Sequence, residues 1–288
     1  MHPWKRYRVR PGTKVRLARW DPGQRADGAR TDKEARAGLD DLLPKLDRLQ
    51  GRLYAEHRHR VLLVLQGMDT AGKDATIRRV FQGVNPQGVH VASFGPPSAE
   101  ELAHDFLWRV HPHVPRAGEI AIFNRSHYED VLRPRVHKEI SESEVDRRLR
   151  AIRDFERLLV GERTTVLKFY LHIDRAEQTR RLQARIDDPS KQWKFSLNDL
   201  AERPFWPRYL RAYDDLMERT STDEAPWFIV PSNHPLSRDL AVAEILHRSL
   251  TGLRLEYPAL EPAVRRQLAE LKGFEHLDRA RSRPSGAD

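Results

Sequence analysis

The sequence predicts an α/β fold: a mostly parallel, five-stranded sheet with helices on both faces. Three observations predict it. Five short apolar runs of strand length stand between segments of helical period. Strands joined through helices in this way build parallel sheets, because each crossover carries the chain back over a face. The first run, "VLLVLQ", leads straight into a glycine-rich turn, "GMDTAGKD", and a helix.

The elements follow in order. Met1 to Gln24 is polar, basic and proline-bearing, with one alternating stretch, "TKVRLARW". Residues 1–32 are therefore expected to form an extended arm on the surface. From Lys33 to Arg58, Leu39, Leu42, Leu43, Leu46, Leu49 and Leu53 recur at three- and four-residue steps, which predicts a helix. "HRVLLVLQG" is a near-continuous apolar run, as expected of a strand buried on both faces. "ATIRRVFQGV" is a helix closed by Gly83, and "GVHVASF" is a second strand. Ser98 can cap a helix through "AEELAHDFLWRV". "GEIAIFN" is the third strand, and Ser141 or Ser143 starts a long helix. "TTVLKFYLHI" is the fourth strand, followed by a charged helix from Asp174 to Asp187 and then "PSKQWKFSLNDL". The helix "PRYLRAYDDLMERT", the strand "PWFIVPSN" and the helix "SRDLAVAEILHRSL" complete a main domain over 33–255. The tail, 256–288, is expected to be helical and charged, with a disordered end at "SRPSGAD".

Composition narrows the function. The 288 residues include no cysteine, which excludes disulfides, thiolate zinc sites and cysteine nucleophiles. No apolar run reaches membrane-spanning length, and "MHPWKRYRVRPG" lacks the apolar core of a signal peptide. A cytoplasmic protein with no membrane partner is expected. The net charge of +9 attracts polyanions, although solvated helix faces account for it equally well.

Ligands of a parallel sheet bind at the carboxyl ends of its strands, so the turns after the strands carry the argument. "GMDTAGK" fits the phosphate-binding pattern G-x-x-x-x-G-K, with the strand before it and the helix after it that the pattern requires. Gly67 and Gly72 allow the backbone to wrap a phosphate with the amides of Met68, Asp69, Thr70, Ala71 and Lys73, and Lys73 can reach a terminal phosphate. Asp74 stands where a magnesium-binding hydroxyl is usual, and Asp69 lies inside the loop. A carboxylate facing phosphate needs a cation between them, and magnesium is the hard, oxygen-loving choice, with manganese as its substitute. Asp69 can hold that metal or accept a proton from an attacking group. Asp74 is either a metal ligand or a stabiliser of the helix end. The third strand ends in "FNRSHYEDVLRPR": Asn124 can orient a water on the metal, and Arg125 is expected beside the phosphates, the alternative being a salt-bridged surface arginine. Glu129 and Arg135 follow as candidate nucleotide- or phosphate-binding residues. Arg181 and Arg185, four residues apart, share a helix face, and Lys191 and Lys194 follow in "DPSKQWK". Together they suit either a basic lid over about 174–205 that neutralises a transferring group or, equally, a solvated face paired with Glu177, Asp187 and Asp188. The pairs His57/His59 and His111/His113 have no third ligand at metal spacing and read as surface histidines.

The motifs "GMDTAGKD", "GEIAIFNRSHYEDVL", "QARIDDPSKQWKFS" and "TSTDEAPWFIVPSN", in this order, resemble polyphosphate kinase 2 from about Lys33 to Leu253. The resemblance implies a P-loop kinase fold akin to thymidylate kinase, with a helical lid. It implies phosphoryl transfer between inorganic polyphosphate and a nucleotide, with magnesium. Asp69 and Lys73 match the family's loop acid and lysine, Arg125 its second-motif arginine, and Arg181, Arg185, Lys191 and Lys194 its lid. Asp69, Lys73, Arg125 and Arg185 are the expected catalytic residues, with Asp69 positioning the acceptor phosphate and metal. Many members have "FDRSWYNR" where this chain has "FNRSHYED", so Asn124 replaces an Asp and Glu129 an Asn. The "NRSHYED" form resembles the branch that phosphorylates AMP as well as ADP. Expected partners are polyphosphate and adenine nucleotides, in a homo-oligomer, with nucleic acid not expected. The alternative is an ATP-dependent nucleoside monophosphate kinase, which the loop alone does not separate from the first reading.

Overall fold

The computed structural model describes residues 3–268, apart from the side chains of Pro3, Lys194 and Asp199. The chain divides after Leu255 into two compact units. In the second, residues 262–268 are helical, and the expected disordered end at 282–288 lies outside the described residues.

The first unit is built on five parallel strands: β1 (Arg60–Gln66), β2 (Val89–Ser93), β3 (Ile120–Asn124), β4 (Thr164–His172) and β5 (Trp227–Pro231). Their order in the sheet is β2-β3-β1-β4-β5. β1 pairs with β3 on one side and β4 on the other, so both its faces and both its edges are covered. Val61 through Leu65 are accordingly at most 1% exposed.

Nine α-helices accompany them among the described residues of this unit: α1 (Asp32–Glu56), α2 (Lys73–Val80), α3 (Ala99–Ala103), α4 (Glu129–Val136), α5 (Glu142–Gly161), α6 (Arg175–Asp187), α7 (Leu197–Glu202), α8 (Trp206–Thr220) and α9 (Pro235–Gly252). Capping chemistry sets several starts. Thr31 and Glu34 form a reciprocal capping box at α1, and Ser98 and Glu101 form another at α3. Of the two serines considered for α5, Ser141 is the cap. The helix expected through "AEELAHDFLWRV" stops at Ala103, because His104 is extended and the Asp105 side chain accepts from the Leu107 amide in a tight turn. α1, α2 and α9 pack together as one helical layer, and α4, α5 and α8 as the other.

The N-terminal arm is not the surface strip expected. Tyr7, Val9, Val15 and Leu17 are at most 7% exposed and belong to the main core. The Val9 amide donates to the Trp227 carbonyl and the Ile229 amide to the Tyr7 carbonyl, both at 2.8 Å. β5 is an edge strand, and its unpaired backbone groups need partners; the arm supplies them in antiparallel pairing.

Candidate active site

The site forms where β1 and β3 end. The loop from Gly67 to Gly72 needs a backbone that L side chains rarely adopt. Gly67 has φ +151° and Gly72 φ +105°, and a Cβ at Gly72 would lie 1.9 Å from Nη1 of Arg238. Thr70 and Arg125 also hold positive φ, +66° and +63°. For residues with a side chain this costs about 1–3 kcal/mol each, and it persists where the surroundings over-determine it. β3 lies in register with β1 so that Asn124 sits opposite Leu65, and the Arg125 amide donates to the Leu65 carbonyl at 3.0 Å. That bond brings the second motif against the first.

Asp69 and Arg125 meet there: Arg125 Nη2 donates to Asp69 Oδ1 at 3.0 Å. Asn124 Nδ2 donates to Asp74 Oδ1 at 2.7 Å, which ties the strand end to the first turn of α2. Lys73 is 9% exposed, and its ammonium donates to the Gly67 carbonyl at 2.9 Å. Burial lowers its pKa and Arg125 adds to that, against Asp69, Glu129 and Asp74. Burial works against the charge of Arg125 too, but Glu129 and Asp69 outweigh it and hold its pKa up.

Two hollows flank the Asp69–Arg125 pair. The loop pocket is lined by Thr70, Gly72, Lys73, Asp74, Asn124, Arg185 and Lys191, together with Asp69 and Arg125. The second pocket is lined by Gly67, Met68, Glu129, Arg133, Arg203, Tyr209 and Tyr213, again with Asp69 and Arg125. Burial raises the pKa of Glu129, with Arg125 and Lys73 opposing. Turned so that its nitrogen faces Glu129, the Gln66 amide donates to Glu129 Oε1 at 2.8 Å. The start of α4 is fixed from within the core: Tyr128 Oη donates to Glu156 at 2.7 Å, and Lys168 on β4 donates to Glu156 at 2.5 Å and to the Thr220 carbonyl at 2.7 Å.

Two expected phosphate contacts are placed elsewhere. Arg135 lines neither pocket; it donates to Asp215 at 2.6 Å and to both oxygens of Glu142. Helical geometry explains this. Arg133, four residues after Glu129, shares its face, whereas Arg135 is turned toward α8. Arg181 also lines neither pocket. It donates to the carbonyls of Thr70 at 2.8 Å and Ala71 at 3.1 Å, behind the loop. Arg185, one turn further along α6, reaches the loop pocket instead. Lys194 has a backbone in a short 3-10 turn, and its side chain lies outside the described residues. The sequence reading missed Arg133, Arg203, Tyr209 and Tyr213, and it missed the pair Arg238–Asp239 that braces the loop from α9. For Arg133 a signal was present, its four-residue spacing from Glu129. Tyr209 and Arg203 come from a segment whose placement only tertiary packing sets.

A glycine loop between the first strand and its helix, at the carboxyl edge of a β2-β3-β1-β4-β5 parallel sheet, defines a P-loop kinase fold. The chain belongs to the polyphosphate kinase 2 family, whose model, described as "Polyphosphate kinase 2 (PPK2)", matches residues 28–256. It is 49% identical over 266 residues to the AMP/ADP-polyphosphate phosphotransferase of Meiothermus ruber, covering 92% of this chain and all of that one. It is 41% identical to the ADP-polyphosphate phosphotransferase of Rhodopseudomonas palustris, covering 93% and 96% of the two chains. The crystal structure of polyphosphate kinase 2 from Arthrobacter aurescens TC1 is similar throughout, with a TM-score of 0.88 at 42% identity over 93% of this chain and 96% of that one. Among the described residues, no helix is long and apolar enough to cross a membrane.

Proposed function

We propose that the protein transfers a phosphoryl group between inorganic polyphosphate and AMP or ADP. One observation carries this reading: Asp69 and Arg125 line both pockets, so a group held between them is within reach of a ligand on either side. The loop pocket, with Lys73, Arg185 and Lys191, suits a chain of phosphates. The second pocket, with two tyrosines, Glu129 and Arg133, suits a nucleotide. The relatives named for AMP/ADP and ADP substrates support the choice of partners.

In this reading an oxygen of the nucleotide's terminal phosphate attacks the terminal phosphorus of the chain. The new O–P bond forms as the bond to the next phosphate breaks, and the shortened chain keeps that oxygen and its charge. The protein aligns the two ligands and neutralises charge. Arg125 spans donor and acceptor, Lys73 and Arg185 face the leaving chain, and Asp69 fixes Arg125.

The donor set is all oxygen where a cation is needed, the Asp69 and Asp74 carboxylates beside the phosphate position, and it fits magnesium or manganese completed by phosphate oxygens and water. When bound, the ion neutralises phosphate charge that the two carboxylates would otherwise repel.

A donor comparison tests the proposal. Long-chain polyphosphate with AMP should yield ADP and then ATP, and ATP should be a poor donor to AMP. Turnover with ATP and none with polyphosphate would replace this reading by a nucleoside monophosphate kinase.

A further inference from the structure

Two arginines that line neither pocket hold the loop from behind. Arg238 on α9 is 1% exposed, and its Nη1 donates to the Ala71 carbonyl at 3.2 Å. Its Nε donates to Asp239 at 2.7 Å, and Asp239 in turn accepts from Thr76 Oγ1 at 2.8 Å and from Arg79 on α2. Arg181 on α6 donates to the same Ala71 carbonyl and to that of Thr70, while its other groups bond Ser232 O and Glu177. Gln178, one turn earlier, donates to the Asp69 carbonyl at 3.2 Å. Three successive loop carbonyls are thus drawn outward, toward α6 and α9.

In a trans peptide the carbonyl and the next amide point in opposite directions, and there is no cis bond among the described residues. A carbonyl drawn outward therefore turns the following amide inward. The Ala71 amide is committed to Met68 O at 3.0 Å. The amides of Thr70 and Gly72 stand behind the carbonyls of Asp69 and Ala71, opposite Gln178 and the two arginines, and both residues line the loop pocket. Arg181 is suited to this work because a planar guanidinium spans several acceptors at once, which an ammonium does not.

We propose that Arg181 and Arg238 are positioning residues, a two-sided clamp on the Ala71 carbonyl that sets the direction of the loop amides before phosphate arrives. Arg181 acts through the loop, whereas Arg185 on the same helix acts on the ligand. The lid helix thereby shapes the pocket that it also lines. This inference rests on the loop being the polyphosphate site, as proposed above.

Amide hydrogen exchange of the loop peptide 67–74 in the substrate-free protein tests it, alongside kcat and KM for polyphosphate. Arg181→Lys keeps the charge and loses the fork. It should speed loop exchange about tenfold with β1 and β4 unchanged. It should lower kcat about thirtyfold with polyphosphate KM within about threefold. Arg238→Lys should act in the same direction, and Arg185→Lys should leave loop exchange as it was. Wild-type loop exchange in Arg181→Lys, with a raised polyphosphate KM, would make Arg181 a direct phosphate ligand and overturn the proposal. Because the exchange is read without substrate, its result stands apart from the identity of the donor.

Discussion

Arg125 Nη2 donates to Asp69 Oδ1 at 3.0 Å, and this ion pair is the wall shared by the two pockets. Both residues are partly exposed, with side chains 41% and 25% accessible, so the pair contributes little to stability. Its role follows from place: β3 delivers Arg125 to a loop that already carries an acid.

Asp69→Ala should therefore separate function from folding. Turnover should fall by about a thousandfold or more, as when a preorganised charge is removed from a transfer site. The melting temperature should stay within about 3 °C of wild type. A folded Asp69→Ala protein with normal kcat would contradict the role given to this carboxylate.

Glu129 lies half-buried in the second pocket, beside Arg125 and Arg133. Glu129→Asn should weaken use of AMP more than use of ADP, by about tenfold in the ratio of the two kcat/KM values. An unchanged ratio would take acceptor choice away from this residue.

Arg135 makes the opposite prediction. Its guanidinium is tied to Asp215 and Glu142, away from both pockets. Arg135→Ala should cost roughly 1 kcal/mol of stability, measured by denaturant unfolding, because these pairs are partly exposed. Its kcat/KM should stay within about twofold of wild type. A hundredfold loss of activity would return Arg135 to the phosphate site.

A carboxyl of α9 that faces the arm makes stability depend on pH. Burial raises the Glu244 carboxyl to about 7, Asp27 adds to this, and Arg6 opposes it. A carboxyl whose pKa is raised by folding holds its proton more tightly in the folded state. Its contribution is fully present below its ordinary value near 4.5 and is lost as pH rises through about 7. Glu244→Gln should therefore stabilise the protein at pH 8 by roughly 1 kcal/mol, the figure being discounted for solvent screening, and by less at pH 5.5. Equal changes at the two pH values would show that Glu244 does not titrate in this window.

The strands were legible because burial on both faces leaves an apolar signature: "VLLVLQ" became β1 with its ends within a residue or two. The loop was legible because its glycines are required by backbone geometry, as the Arg238 contact at Gly72 confirms. What could not be read was partner choice. Arg181 and Arg185 are one residue type on one helical face, and only the position of α6 against the loop sends one to carbonyls and the other to the pocket. Arg133 and Arg135 divide in the same way, here by helical phase. The arm was misread because pairing with β5 is decided by a strand more than 200 residues away, an event with no local signal in "YRV".

The two-pocket arrangement is tested most directly by a crossed pair of substitutions, with KM measured for both substrates in each. Arg185→Gln should raise KM for polyphosphate about tenfold and leave KM for AMP within about twofold. Arg133→Gln should do the reverse. If both substitutions raise the same KM, the two ligands do not occupy separate sides of the Asp69–Arg125 wall, and the account fails at its centre.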